Sequence, residues 1–478
     1  MNRFDRLRGE LAAAFRLAVP VAAVQLGMML MGVVDTMMLG HLSAEALAAG
    51  ALGHIATFCL LILGYGILSA LDPLVSQAHG ARDPRAVGDS LQRGLVMAAV
   101  LTVPFSLALW DTGGVFRLLG QSEAVIPSAA AFARAIIWGI LPYFLFVVFR
   151  QTLQAMSVVR PAMMAIVLGN LANGLVNYIL IFGHFGAPAL GVAGSAYSTS
   201  IARWVMFLYL LAASRRSLAG YWRGFTREAV AIRGHLLMLR IGLPIGLHNS
   251  VELLVFTAVA LLMGRMGVRE LAGNQIALNL ASLSFMVPLG IAGAAVTRVG
   301  NAIGRGDMPG ARRSAAASLL LGGGVMLFFA ALFAAFPEPL ARLYTRDPAV
   351  IAMAAALLPI AAVFQVFDGT QVVAAGVLRG SADTTFPAGI ALVGFWLVGL
   401  PAGWALAFPG GLGPRGLWWG LTIGLAAVAS LFVARIAVRF RGEIGRVGAH
   451  QRPFGADPHS PSPSLPASPP PAGREGSG

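Results

Sequence analysis

Three acids stand inside long apolar runs: Asp35 in "GVVDTMMLG", Glu252 in "NSVELLVF" and Asp368 in "AAVFQVFDGTQVVAAG". A carboxylate at the centre of a bilayer costs about 2.5–3.5 kcal/mol on insertion scales, so each needs a compensating use. Used structurally, such a group pairs with an arginine or accepts hydrogen bonds; used chemically, it holds a cation or a proton. The neighbours are polar as well. Gln365 and Gln371 lie three residues to either side of Asp368, and His248 and Asn249 lie four and three residues before Glu252, all at spacings that share a helix face. Asn173 and Asn177 are one turn apart, and with Thr199 and Asp35 they could supply oxygens to a cation. A hard cation such as Na⁺ is bound by oxygens of this kind, at Asp35 or at Glu252 and Asp368, whereas a desolvated carboxylate can carry a proton instead. The residues leave both open. For the two asparagines and Thr199 the competing role is interhelical hydrogen bonding, and for His248 it is packing.

These residues need helices that cross a membrane to position them. The chain has 478 residues, 57% hydrophobic and 11% charged, with a mean hydropathy of +0.77, against roughly 45–50% apolar and 25% charged in soluble domains. Spanning helices of about 20 apolar residues fall near 15–39, 46–72, 90–112, 127–153, 162–184, 189–213, 237–264, 271–297, 313–336, 350–377, 385–408 and 415–438. The expected class is therefore an all-α integral membrane protein of twelve transmembrane helices. Asp72, at the end of the second run, is assigned to the membrane interface. Arg203 is taken as the one arginine well inside a run, either snorkelling or paired. The single cysteine, Cys59, excludes an intrachain disulfide and reads as a small buried apolar residue.

The net charge of +14 is carried by arginine alone and reads as topology and contact with lipid headgroups, with no nucleic-acid partner. Loops after odd-numbered runs hold only Arg117, Arg265, Arg269, Arg342, Arg346 and Arg415, while the N-terminus, the even-numbered loops and the tail hold most of the others. Basic loops stay in the cytoplasm, which places both termini there.

The chain also repeats itself. A shift of 224 residues superposes Pro20 on Pro244, Gly40 on Gly264, Gly66-Ile67 on Gly290-Ile291, Gly80 on Gly304, Asp83 on Asp307 and Ser90 on Ser314. Six helices per half give a parallel repeat, two pseudo-symmetric six-helix bundles about an axis along the membrane normal, as in secondary transporters. The division is an N-terminal lobe over 1–213, an inter-lobe loop over 214–236, a C-terminal lobe over 237–440 and a Pro/Ser-rich tail over 441–478. The tail has too few apolar groups to order and is assigned no transport role.

Together, "VDTMMLGHLSAEALAA", "ALDPLVSQAHGA", "LVNYILIFG", "FQVFDGTQVVAAGVLRGSADT" and an acid in the seventh helix resemble the multidrug and toxic compound extrusion family, in its NorM-like branch. The resemblance reaches to about residue 440. It implies two lobes that export cationic organic compounds in exchange for Na⁺ or H⁺ by alternating access, with no other cofactor. It also implies a monomer, a bacterial inner membrane setting and no enzymatic activity. By motif, Asp35, Glu252 and Asp368 are similar to the family's acids in the first, seventh and tenth helices, and Asn173, Asn177 and Thr199 fall where N-lobe polar groups are expected. Some branches carry an aspartate in the fifth helix; here asparagines stand there.

Three other readings compete. A lipid-linked oligosaccharide flippase or metabolite exporter of the same superfamily would line its cavity with basic residues for a pyrophosphate, and this interior is acidic. An intramembrane enzyme would need a catalytic motif, and the runs hold no HExxH or GxSG pattern. A channel would conduct without a gradient. The arginine bias gives a first prediction: with Cys59 replaced, a single cysteine within 214–236 reacts with a membrane-impermeant maleimide only from the cytoplasmic side. Labelling from outside intact cells contradicts the topology.

Overall fold

The computed structural model describes residues 3–222, 224 and 226–447, with side chains from Leu7 onward; the tail beyond Val447 lies outside the described residues. Twelve helices are long and apolar enough to cross a membrane, and no strand occurs among the described residues. In the first half they run over Arg3–Leu42, Ala44–Gly80 with an interruption at Ser69-Ala70, Pro84–Trp110, Ile126–Ala155, Arg160–Phe182 and Gly191–Leu218. The second half has Ile232–Met266, Val268–Gly304, Met308–Ala335, Pro348–Gly380, Thr385–Ala407 and Pro414–Arg439. The second span thus runs on to Gly80, eight residues past its expected end, and carries Asp72 inward. Cys59, expected among buried neighbours, is exposed on the outer surface of its span.

Local chemistry explains the helix starts. Asp83 and Asp307, one repeat apart, cap the third and ninth spans by accepting from Ala86 N at 3.0 Å and Gly310 N at 2.8 Å, each with a proline in the first turn. The preceding turn needs a left-handed residue, which is Gly306 (φ 71°) in the second half and Arg82 (φ 54°) at the matching place in the first.

Breaks inside spans have identifiable causes. Pro142 has no N–H to give the carbonyl four residues back. The fourth span accordingly tightens into a 3-10 turn over Ile137–Gly139, and the freed Trp138 carbonyl is met by the Trp204 indole at 3.2 Å. Ser200 and Arg203, on the same sixth span, donate to Ala135 O at 3.3 Å and Gly139 O at 3.5 Å. The eleventh span loosens into a π segment over Val393–Gly399. There Gly394, Gly399 and Gly403 lie against Gly420 and Gly424 of the twelfth span, so the backbones approach closely.

The two halves meet in a seam built by the repeat. A Cβ on Gly66 would strike the backbone of Gly246, and one on Gly290 would strike Ala22, which is the same contact displaced by 224 residues. Gly80 lies against the Asn301 carbonyl and Gly304 against that of Gln77, again one pair related to the other. Around these contacts Thr297 Oγ1 and Asn301 Nδ2 donate to Gln154 O (3.2 Å) and Ala155 O (3.0 Å), Gln77 Nε2 donates to Gly380 O (2.9 Å), and Glu10 pairs with Arg298. The segment after the twelfth span reaches across the seam: Arg312 anchors its start by holding the Phe440 carbonyl at 2.6 Å, and Arg446 reaches Asp83 at 2.9 Å while Val447 N donates to Gln77 Oε1 at 2.8 Å. Burial alone would push the Asp83 carboxyl up, but the backbone N–H groups of its cap and the Arg446 guanidinium outweigh it and hold the group below the usual carboxylate range. Among the described residues, every hydrogen bond between the halves lies at this end, near the 81–83 and 305–307 turns.

Gly66→Val should therefore prise the seam apart, at about 1–3 kcal/mol of overpacking, and Gly290→Val should do the same through the other half. Gly323→Val, where a Cβ meets open space, should be neutral. Thermal unfolding in detergent and export at matched membrane levels check this; equal behaviour of all three variants contradicts the seam.

Candidate functional site

In the N-terminal half the structure brings together all four residues read from the sequence. Asp35, 6% exposed, receives three donors. Asn173 Nδ2 and Asn177 Nδ2 donate to Oδ1 at 3.0 and 2.6 Å, and Thr199 Oγ1 donates to Oδ2 at 2.8 Å. The asparagines are a turn apart on the fifth span, so both reach one oxygen, and Asn177 Nδ2 also bonds Asn173 Oδ1 at 3.2 Å. Asn177 Oδ1 is buried without a partner. Beside the acid is a cavity of about 160 Å³ lined by Asp35, Thr36, His54 and Phe132. Turning the Asn177 amide would present an oxygen beside the carboxylate, so the donor set fits a hard cation only after rearrangement.

Arg203 neither snorkels nor pairs with an acid. Its guanidinium stacks over Tyr143 at 4.9 Å while bonding Gly139 O, because the broken fourth span offers it a ring face and a loosened carbonyl.

The C-terminal half is built differently. Asp368 is 5% exposed, yet no hydrogen bond or ion pair reaches its carboxylate among the described residues; the charge that bears on it is Glu252, across from the seventh span. Its helix-face neighbours present acceptors. Gln365 gives its Nε2 to Ser284, and Gln371 sets its Nε2 at 3.0 Å from His248 Nε2, which leaves Gln365 Oε1 and Gln371 Oε1 buried and unpartnered. His248 joins the group by its other contacts, with Nε2 3.7 Å from Glu252 Oε2 and Nδ1 3.4 Å from the Pro387 carbonyl. Since Nδ1 faces a carbonyl it carries the hydrogen, and Nε2 is then free to accept from Gln371. Asn249 is half-buried and makes no side-chain hydrogen bond among the described residues. Trp396, from the π segment, donates to Val251 O at 3.2 Å and braces the seventh span beside Glu252. Asp368 is thus a buried carboxylate with no donor bonded to it among the described residues, beside the charge of Glu252 and on a helix whose flanking glutamine oxygens are also without partners.

Two residues escape a reading of spans alone. Asp72, expected at the membrane interface, is buried in the seam, where Gln151 Nε2 lies at 3.4 Å and Arg379 of the other half at 3.7 Å. Arg150, 2% exposed, lies within the fourth span, so Arg203 is not alone there. The signal available was its position inside the 127–153 run.

The profile of the MatE family matches residues 20–179 and again 244–405, once in each half. A multidrug resistance protein MdtK of Yersinia pseudotuberculosis serotype O:1b is 36% identical over 436 residues, covering 89% of this chain and 95% of the relative. Among solved structures, the eukaryotic MATE transporter AtDTX14 superposes with a TM-score of 0.82 at 24% identity, over 91% of this chain and 97% of that one. An outward-facing multidrug resistance MATE family transporter of the MOP superfamily superposes with 0.81 at 21% identity, over 90% and 96%. Matched in both halves by the profile and along most of its length by the curated relative, the chain belongs to the multidrug and toxic compound extrusion family of membrane transporters.

Proposed function

We propose that this protein exports cationic organic compounds in exchange for Na⁺ or H⁺, and that the ion and the compound compete for the Glu252 and Asp368 carboxylates. The observation that carries the reading is the contrast between the halves: Asp35 is enclosed by three donors, whereas Asp368 has none and is flanked by two orphaned amide oxygens. A cation or a proton satisfies such a site, and a neutral or anionic ligand does not. The relatives named multidrug resistance proteins support export of drugs, and the acidic site is what favours cationic ones. A seam between two repeat-related halves that is hydrogen-bonded at one end supports alternating access in which the halves rock about the repeat axis. Each ligand then displaces the other if they favour opposite-facing states. No bond is made or broken. The setting proposed is a bacterial plasma membrane with both termini in the cytoplasm, the chain acting as a monomer. A flippase of pyrophosphate-linked substrates would need free cations facing the cavity; Arg203 and Arg150 instead lie over tyrosine rings, and Arg298 and Arg379 hold carboxylates.

Asp368→Asn keeps shape and hydrogen-bonding capacity but removes charge, as does Glu252→Gln. Each should insert normally and lose ion-coupled export, with cation binding weakened about ten- to a hundredfold, or about 1.4–2.8 kcal/mol. Asp35→Asn should be impaired as well. The measurement is drug export from proteoliposomes under separately imposed Na⁺ and H⁺ gradients, which also identifies the ion. Wild-type rates in all three variants return the acids to a packing role.

A further inference from the structure

One buried carboxylate, Asp72, sits where the two halves are pressed together and takes no part in the proposed cation site. It lies on the short helix Leu71–Gly80 and is 4% exposed. Its contacts are long: Arg379 Nη1 at 3.7 Å from the tenth span of the other half, and Gln151 Nε2 at 3.4 Å from its own half, the same amide reaching Ser69 Oγ at 3.1 Å. A second guanidinium waits beside it. Arg150, the residue before Gln151, is buried with only neutral acceptors: Tyr65 OH at 3.1 Å from Nη2 and Gln25 Oε1 at 3.4 Å from Nη1. Its Nε has no acceptor at all, and the cation lies within electrostatic reach of Asp72. In the present seam Arg379 makes the ion pair with Asp72, whereas Arg150 lies over the Tyr65 ring and acts on the carboxylate only at a distance, through its charge. A buried arginine without an acid is nonetheless unfavourable, so its presence calls for a state in which it has one.

Opening the seam supplies that state. If the halves part at this end, Arg379 leaves with the tenth span and Asp72 would stand alone in a low-dielectric interior, an arrangement far more unfavourable than a paired one. We propose that Asp72 exchanges partners as the seam opens, held by Arg379 of the C-terminal half when it is closed and by Arg150 of its own half when it is open. Arg150 is thus a positioning residue for alternating access. It touches neither ion nor drug, and it keeps the open state populated. The exchange rests on the alternating-access reading above. It makes the two arginines act in opposite directions: losing Arg379 leaves only the open-state partner, and losing Arg150 leaves only the closed-state partner.

The experiment places spin labels at Arg85→Cys and Arg305→Cys, exposed positions on either side of the closed end, with Cys59→Ser, and measures their distance distribution in lipid nanodiscs with and without tetraphenylphosphonium. Wild type is expected to show a short and a long population whose ratio responds to the compound. Arg379→Gln should shift the ratio at least tenfold (~1.4 kcal/mol) toward long, and Arg150→Gln as far toward short, with Arg150→Lys close to wild type. In an Asp72→Asn background both shifts should disappear, and that background also carries the test if Arg150→Gln alone fails to accumulate. Arg150→Gln and Arg379→Gln moving the ratio the same way, or Arg150→Gln acting equally with and without Asp72, overturns the exchange while leaving alternating access intact. A single distance in wild type that ignores the compound overturns both.

Discussion

A carboxylate taken out of water must be met by a donor, a cation or a proton, and the bilayer interior supplies none of these by itself. This protein meets the requirement in three ways. Asp35 is met by side-chain donors from the fifth and sixth spans, so it is satisfied without any ligand. Asp72 is met by arginine, and its partner Arg379 belongs to the other half, so its satisfaction depends on how the halves are arranged. Asp368 has no bonded partner among the described residues and faces the charge of Glu252, which is the basis for the proposal that a cation or a proton completes the pair. One constraint is thus answered differently in three surroundings.

The scaffold that positions these acids is symmetric, and its chemistry is not. Residues that make the seam obey the repeat: Gly66 with Gly290, Gly80 with Gly304, Asp83 with Asp307. Through these symmetric backbone contacts each half bears on the other in the same way, which suits the proposed rocking about a common axis. The acids depart from it. Asp35 corresponds to Val259 and Glu252 to Met28, so each half keeps a function the other lacks. A donor-saturated acid in one lobe and a donor-free pair in the other is a division of labour made by point differences on a duplicated frame.

Much of this was legible in the chain. Apolar runs of about 20 residues and a constant shift were enough for twelve helices in two related bundles, and the polar residues grouped with Asp35 are those that meet it, although as donors to the carboxylate rather than as oxygens for a cation. What escaped were properties of contact between segments far apart in sequence. Asp72 looked like a helix-end acid because the second span breaks at Ser69-Ala70 and continues to Gly80, which composition does not reveal. Arg203 looked like a candidate ion pair because the loosened carbonyls of the fourth span, freed by Pro142 sixty residues away, are visible only once the helices pack. Asn249 shared a face with Glu252 by spacing, yet the partner that reached the acid was His248.

In the proposed mechanism one acidic site, at Glu252 and Asp368, receives either the exported cation or the coupling ion. Equilibrium binding of tetraphenylphosphonium to the purified protein tests it most directly, titrated at several Na⁺ concentrations and several pH values at constant ionic strength. The apparent affinity should fall as the coupling ion rises, about tenfold at a tenfold excess over that ion's own dissociation constant, and Asp368→Asn should abolish this competition. Affinity unchanged across both titrations in the wild-type protein would contradict it.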